Sequence, residues 1–239
     1  MMKNPQLSIV IPAYNEAKYI EACLNSIVNQ NTGMSFEVIL INNNSTDNTV
    51  EVAKRFKDKL NLKIINERKQ GRGAARARGF EEARGEIILS ADADTIVYKD
   101  WLETLIKDLK GEIMATTTPA RIVDCSGLIN ITFNFIQPLI LIVYRLFSGH
   151  FWVNGYSFAI LKSAYLKTGG FDPHLQAQED VDLSFKIAKI GKVKLIRKPV
   201  IFSGRRFKNG LMSGLFEYVR TFTDAFVLKK KYVFLDNPR

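Results

Sequence analysis

Two kinds of hydrophobic pattern alternate along the first 95 residues. Short runs rich in β-branched and aliphatic residues occupy positions 7–11, 36–41, 62–65 and 86–89. After each run, apolar residues recur at helical spacing instead. Strands that alternate with helices are typical of a parallel sheet with crossover helices. The pattern therefore predicts an α/β fold with a Rossmann-like, mostly parallel central sheet flanked by helices.

The predicted helices differ in how clearly their ends are marked. We expect the first helix to follow Asn15 as its N-cap, the second to begin at residues 45–47, and the third to cover residues 74–83. The first helix presents the residues expected in the core at i, i+3, i+4, i+7 and i+8: Ile20, Cys23, Leu24, Ile27 and Val28. Farther along, we predict helices at 100–109 and 179–190 and a strand at 114–117.

The later part of the chain is less regular but contains no linker or repeat. We therefore predict one domain over residues 1–206, with a nucleotide-binding half at 1–95 and an acceptor half at 96–206. Residues 207–239 are expected to form a C-terminal helical extension. Its apolar residues lie next to the lysine cluster Lys229–Lys231, which leaves two interpretations open, a tail on an anionic membrane or a packed terminal helix.

Residues 125–144 form a long uncharged stretch. Its polar residues Ser126, Asn130, Asn134 and Gln137 recur at helical spacing and predict an amphipathic helix, with a kink at Pro138. Three interpretations remain open: the helix packs on the sheet, lies in a membrane interface, or spans a bilayer. At the N-terminus, the apolar run 7–11 is too short for a secretory leader.

The composition of the chain limits the classes of binding partner that we expect. With 46% hydrophobic residues the chain is expected to fold, and 34 basic against 24 acidic residues give a net charge of +10. That charge favours an anionic partner: nucleotide phosphates, an anionic bilayer or nucleic acid. We expect no nucleic acid, because the helix-turn-helix, zinc and aromatic patterns of its binders are missing. The two cysteines have no disulfide or metal spacing, which predicts a cytoplasmic protein, either soluble or peripheral on the inner face of the membrane.

An acidic pair follows the fourth predicted strand. Asp92 and Asp94 are two residues apart, so in an extended segment both carboxylates face one side at the carboxyl edge of the sheet. Such oxygen ligands suit Mg²⁺ or Mn²⁺, which fill their remaining positions with water and substrate phosphates. The pattern favours a diphosphate substrate. A solvated turn is the alternative.

Polar loops follow the first two predicted strands. Pro12, Tyr14 and Glu16 lie in one loop, and Asn42 and Asn44 in the other. Because these loops end neighbouring strands, their side chains and helix-terminal N–H groups are candidates to hold a base and a ribose. Ordinary helix capping is the alternative for each loop.

A Gly- and Arg-rich segment at residues 70–79 adds Arg72 and Arg76 to the nucleotide-binding candidates. The segment is neither a dinucleotide fingerprint nor a P-loop, because Arg76 replaces the third glycine and the Gly-Lys-Ser/Thr triplet is missing. This counts against dehydrogenases and P-loop NTPases. A surface helix with solvated arginines is the alternative.

The chain carries a second acidic cluster and a later arginine pair. Asp180, at a predicted helix start, is a candidate general base, and Glu179 beside it is a candidate diphosphate or acceptor contact. Arg205 and Arg206 follow a glycine and suit bidentate contact with phosphate. Helix capping and a plain basic surface are the respective alternatives.

In order, these blocks resemble the inverting family 2 glycosyltransferases with a GT-A fold. The resemblance rests on residues 9–16, the Asn-Ser-Thr-Asp loop, 74–79, 92–94, 169–172 and 179–180, and it extends from about Ser8 to Arg206. It implies transfer of a sugar from a nucleotide-diphosphate donor with inversion and with Mg²⁺ or Mn²⁺. By analogy Asp94 is a metal ligand, Asp92 contacts ribose or metal, and Asp180 is the catalytic base.

The chain departs from the family pattern at two places. Asn42 replaces an aspartate that reads the base, which leaves the base unassigned. The Q-x-x-R-W block of processive synthases is absent, so we predict single-sugar transfer to a saccharide, a lipid-linked saccharide or a polyprenyl phosphate. A catalytically silent module that binds a nucleotide sugar or a lipid is the alternative function.

Overall fold

The computed structural model describes residues 4–207, and two sheets organise them. The large sheet has seven strands in the order β3-β2-β1-β4-β8-β6-β9, and a small sheet has the order β5-β10-β7. The strands are β1 Leu7–Ala13, β2 Phe36–Asn42, β3 Leu62–Asn66, β4 Ile87–Ala91, β5 Thr95–Ile96, β6 Ile113–Thr117, β7 Ala120–Arg121, β8 Ser157–Leu161, β9 Lys192–Leu195 and β10 Val200–Phe202. The helices are α1 Ile20–Val28, α2 Thr49–Lys54, α3 Arg72–Glu81, α4 Trp101–Ile106, α5 Gly127–Ser148, α6 Lys162–Lys167 and α7 Glu179–Ala188, and a single 3₁₀ turn covers Arg205–Phe207.

The predicted mostly parallel sheet is confirmed. Strands β3, β2, β1 and β4 are parallel, and β8 alone in the large sheet runs antiparallel to its neighbours β4 and β6. Ala13 pairs with Asn42 at the end of the β1–β2 ladder. The loops after β1, β2 and β4 therefore open at one edge of the sheet, where α/β sheets place their ligands.

Alternating side chains of the central strands feed two cores. Ile9 and Ile11 of β1 face the core that contains α1, whereas Val10 faces the opposite core beneath α3. On that second side α3 lies very close to the sheet, because a Cβ added at Gly79 would be 2.3 Å from Cγ1 of Val10. The glycine thus lets α3 approach the strand that leads into the site.

Two predicted helix starts are wrong. Helix α1 begins at Ile20, because Asn15 adopts a left-handed conformation (φ 54°) and its Oδ1 accepts the backbone N–H of Thr46 at 2.8 Å. Helix α2 begins at Thr49, because Asp47 accepts the backbone N–H of Ala17 at 3.1 Å. These polar side chains join the loops after β1 and β2 to each other. The buried residues predicted for α1 are confirmed, except that Val28 is only partly buried.

Helix α5 carries its polar stripe towards the domain. Asn134 Oδ1 accepts the backbone N–H of Ile122 at 2.8 Å and its Nδ2 donates to the carbonyl of Ile122 at 3.0 Å. The helix continues through Pro138 to Ser148, and by length and composition it is long enough and apolar enough to cross a membrane. The predicted amphipathic helix is confirmed. The tail predicted at 207–239 lies outside the described residues except for Phe207, which ends the 3₁₀ turn. The predicted division at residue 95 stays a prediction.

Candidate active site

A cleft opens at the carboxyl edge of the large sheet, between the loops after β1, β2 and β4, the start of α3 and the 3₁₀ turn. Nine of the predicted site residues line it: Pro12, Tyr14, Glu16, Arg72, Arg76, Asp92, Asp94, Arg205 and Arg206. Asn43 and Phe202 line it too and were not predicted. The cleft combines acidic side chains at its floor with several arginines, as a site for an anionic ligand and a cation requires.

At one end of the cleft, acids already hold a cationic side chain. Both guanidinium nitrogens of Arg205 donate to the carboxylate of Glu16, at 2.6 and 2.7 Å, and Nη2 also lies 2.9 Å from Oδ2 of Asp94. The guanidinium lies over the ring of Tyr19, 4.8 Å from its centroid. Burial raises the pKa of Asp94 to about 7, although Arg205 acts in the opposite direction. Burial thus favours the neutral form of Asp94, and a positive charge beside it favours the ionised form.

The other acid of the pair has a different partner. Asp92 Oδ1 accepts a hydrogen bond from Nη2 of Arg76, and Nη1 of the same guanidinium binds the buried carboxylate of Glu179. Arg76 is only 2% exposed, so the alternative of a solvated surface arginine is wrong for this residue. Arg76 therefore fixes the side chain of Asp92 at the wall of the cleft and ties it to the start of α7.

Asp180, the candidate base, is close enough to feel the charges of Arg76 and Asp92 but does not line the cleft. Its Oδ2 accepts the backbone N–H of Gly155 at 3.0 Å, and its Oδ1 accepts that of Val181 at 2.8 Å. Burial raises the pKa of Asp180, while the nearby positive charge of Arg76 lowers it. A carboxylate that is desolvated and yet held by two N–H donors is more basic than one in water and has a fixed orientation.

Gly155 lies against both Asp180 and Arg76, and we predict that Gly155→Ala is destabilising. Its added Cβ would lie 2.3 Å from Nη2 and 2.7 Å from Cζ of Arg76, whose guanidinium is held by Asp92 and Glu179 and cannot move aside freely. We expect a loss of about 1–3 kcal/mol in the free energy of unfolding by urea denaturation, as for other overpacked sites. The matched control is Gly33→Ala, where nothing lies within 4 Å of the added Cβ. Equal stability of the two variants would contradict the prediction.

The three consecutive asparagines at the end of β2, residues 42–44, make different contacts. Asn42 binds Oδ1 of Asn66 and the backbone N–H of Ser45, Asn44 donates to the carbonyl of Arg68, and neither lines the cleft. Asn43 is 4% exposed, donates to the carbonyls of Glu67 and Lys69, and accepts the N–H of Gly71 at 2.9 Å.

Asn43 thereby holds the loop that leads into α3, and with it Arg72 at the cleft. The sequence contained one sign of this role, since Asn43 is the middle residue of three consecutive asparagines after a strand.

The acids at the cleft fit a divalent ion only together with a ligand. Among residues 4–207 no group of three or more His, Cys, Asp or Glu side chains is arranged to hold a metal. Asp92 and Asp94 alone supply one or two carboxylates, which is the usual protein share of a Mg²⁺ site that is completed by substrate phosphates. The positive charge of Arg205 beside Asp94 shows that this position accommodates a cation.

The arrangement of sheet, helices and cleft is that of the GT-A fold. A mannosyltransferase from Pyrobaculum calidifontis, solved with GDP-Man and Mn²⁺, superposes with a TM-score of 0.66 at 22% identity, over 92% of this chain and 65% of its own. Staphylococcus aureus TarS, solved with UDP, gives 0.64 at 22% identity, over 83% of this chain and 60% of its own.

The chain belongs to glycosyl transferase family 2, whose family model matches residues 8–175. A chondroitin synthase of Pasteurella multocida is 31% identical over 199 residues, which are 81% of this chain and 20% of that protein. Glycosyltransferase AglE of Haloferax volcanii is 38% identical over 111 residues, 45% of this chain and 36% of its own length. This chain thus corresponds to about a third or less of these two relatives.

Proposed function

We propose that this protein transfers one sugar from a nucleotide-diphosphate donor to an acceptor hydroxyl, with inversion at the anomeric carbon and with Mg²⁺ or Mn²⁺. The observation that carries the proposal is the shared position of Arg76, which binds Asp92 at the wall of the cleft and Glu179 beside the candidate base. A donor site and a base are thereby fixed relative to each other. TarS, solved with UDP, and the mannosyltransferase, solved with GDP-Man and Mn²⁺, support the same reaction class.

In this proposal the arginines of the cleft bind the diphosphate. Arg72, Arg205 and Arg206 line the same cleft, and guanidinium groups stabilise the negative charge that develops on a departing diphosphate. Pro12 and Tyr14, at the end of β1, border the nucleoside. When bound, the divalent ion neutralises further charge on the diphosphate, with Asp94 and Asp92 as its protein ligands.

The base in this proposal is Asp180. The N–H groups of Gly155 and Val181 orient its carboxylate, and its raised pKa brings it closer to the pH at which it must accept a proton. Asp180 removes the proton of the acceptor hydroxyl as that oxygen attacks the anomeric carbon from the side opposite the diphosphate. This in-line geometry is the reason for the proposed inversion.

The proposed transfer adds one sugar at a time. Arg205 and Arg206 lie in the region where a processive synthase would have its Q-x-x-R-W block, and here they line the donor cleft. The acceptor is a saccharide or a lipid-linked hydroxyl. We place the reaction in the cytoplasm, in keeping with Cys23 and Cys125, which are not joined in a disulfide.

Release of nucleoside diphosphate tests the proposal directly. We expect a panel of nucleotide sugars to identify a donor that is turned over with Mn²⁺ or Mg²⁺ and not with EDTA. A donor that binds without any release in either condition would favour the silent binding module and contradict the proposal.

The variant Asp94→Asn tests the metal ligand separately, by thermal unfolding. A saturating donor at about 100 times its Kd stabilises a native protein by about 2.7 kcal/mol, and we expect this Mn²⁺-dependent rise in Tm to disappear in the variant. Asp58→Asn, which changes an exposed acid that does not line the cleft, is the control. A variant that keeps its Mn²⁺-dependent shift would remove Asp94 from the metal site.

A further inference from the structure

Helix α5 lies on the domain by its polar side. Besides the two bonds between Asn134 and Ile122, Gln137 Oε1 accepts the backbone N–H of Ala120 at 3.3 Å and its Nε2 donates to the hydroxyl of Tyr156 at 2.9 Å. Asn130 Oδ1 accepts the backbone N–H of Cys125 at 3.2 Å. These side chains take the place of a neighbouring strand beside β7. The helix is therefore attached along one polar stripe to residues 120–125.

The opposite side of α5 is apolar and exposed. Of the 22 residues only Leu141 is buried, and the helix is about 33 Å long at 1.5 Å per residue. The exposed fraction lies between 42% and 89% for nine large side chains: Leu128, Ile131, Phe135, Leu139, Ile140, Ile142, Val143, Leu146 and Phe147. A helix on a soluble protein normally has the reverse orientation, and a continuous exposed apolar patch of this size marks an interaction surface.

We propose that the exposed face of α5 docks in the plane of an anionic lipid bilayer and that the acceptor is therefore lipid-linked. The inference rests on the proposed transfer reaction and names its acceptor class. Charge favours lipid as the occupant, because Arg145 is the one charged residue of α5, it is exposed, and the whole chain carries +10. The hydrogen bonds of Asn134 and Gln137 hold the helix against the domain, so it lies along the surface of the bilayer and does not cross it.

The end of α5 leads to the catalytic base. Residues 149–156 connect α5 to β8, and Gly155 in this loop donates to Asp180. The rings of His150 and Trp152 lie 5.5 and 5.8 Å from the ring of Tyr144, at the C-terminal end of α5.

Nε2 of His150 and Nε1 of Trp152 are buried and have no hydrogen-bond partner among the described residues. Unsatisfied polar atoms between a lipid-facing helix and the base suit the hydroxyl or phosphate groups of an acceptor head group.

Vesicle binding by the full chain tests the proposal. We expect the wild-type chain to sediment with vesicles of phosphatidylglycerol and phosphatidylcholine, and at least tenfold more weakly with phosphatidylcholine alone. The variant Leu146→Asp should bind the anionic vesicles at least tenfold more weakly than the wild type. Leu166→Asp is the matched control, since it is the same change at a leucine of α6 that is 65% exposed, against 77% for Leu146.

Other occupants give different results, and each would overturn the proposal. Equal vesicle binding by wild type and Leu146→Asp would remove lipid from α5. A wild-type dimer in lipid-free buffer that Leu146→Asp converts to a monomer, without vesicle binding, would identify a second copy. A large fall in Tm for Leu146→Asp, again without vesicle binding, would mean that residues 208–239 cover the face.

Donor hydrolysis by water separates this inference from the proposed reaction. Leu146→Asp should keep wild-type release of nucleoside diphosphate in the absence of vesicles, because α5 does not line the donor cleft. Loss of vesicle binding with normal release supports the docking face. Absence of release in the wild-type chain would refute the transfer reaction while leaving the vesicle result to decide the role of α5.

Discussion

Asp180→Asn is expected to lower kcat for sugar transfer by about 10² to 10⁴, the usual contribution of a general base. The amide has nearly the same shape, but its single oxygen can accept only one of the two N–H groups, of Gly155 and Val181, that the two carboxylate oxygens accept. We therefore expect a loss of about 1–3 kcal/mol in stability from the N–H group left without a partner, and little change in donor binding, because Asp180 does not line the cleft. The measurement is the rate of nucleoside-diphosphate release with acceptor present, together with the Mn²⁺-dependent shift in Tm.

Asp182→Asn is the matched control for the proposed base. This acid lies on the same helix, is partly exposed, and pairs with Lys186 at 2.7 Å. Loss of that i,i+4 pair costs about 0.2–0.5 kcal/mol and should leave kcat unchanged. If both variants kept full turnover, Asp180 would not be the base. If both lost it equally, the start of α7 would act as a structural element.

Arg76→Met is expected to have the largest effect on stability. The methionine preserves much of the volume but leaves Glu179, which is 2% exposed, as an uncompensated buried acid. Breaking one side of a buried pair costs about 3–5 kcal/mol, a large part of the about 5–15 kcal/mol by which domains are stable. Transfer activity should fall as well, because Asp92 loses the partner that orients it.

Two further variants make this result interpretable, with urea denaturation as the measurement. Arg78→Met, on the same helix but with a side chain that is 42% exposed, should cost about 0–1 kcal/mol as a surface pair does. The double variant Arg76→Met/Glu179→Gln should recover part of the stability, because the buried negative charge is removed too. A single Arg76→Met variant as stable as Arg78→Met would contradict the buried position of this guanidinium.

The arginine-rich segment shows why a site is only partly predictable. Arg72, Arg76 and Arg78 look equivalent in a short segment of arginines, glycines and alanines. In the fold, Arg72 lines the cleft, Arg76 is buried between two acids, and Arg78 is half exposed and paired with Glu82. Helical periodicity places Arg72 and Arg76, four residues apart, on one face of α3 and Arg78 on another, but which face meets the acids depends on how α3 packs on the sheet.

The roles of the polar residues in the loops after β1 and β2 were also only partly predictable. Asn15 and Asp47 have the residue types of helix caps, and Asp47 does accept the N–H of Thr49, the first residue of α2. Both side chains also bind the backbone of each other's loops, 30 to 32 residues apart in sequence. The sequence marked the right segments as polar and close to the site. It did not distinguish a cap from a bond between loops, because both satisfy the same backbone N–H groups.

The sequence by itself determined the features that depend on local periodicity and on strand ends. These include the parallel β/α order, the buried face of α1, the acidic pair at the end of β4 and the two-sided character of α5. Each follows from side chains a few residues apart, whose relative directions are fixed by the helix or strand that contains them.

Only the tertiary structure decided which distant groups meet. Arg205 reaches Glu16 across 189 residues, Arg76 reaches Glu179 across 103, and the polar stripe of α5 faces residues 120–125 while its apolar face stays exposed. Such contacts depend on the packing of whole elements around the sheet. The same local pattern is compatible with several of these arrangements until the complete core forms and selects one of them.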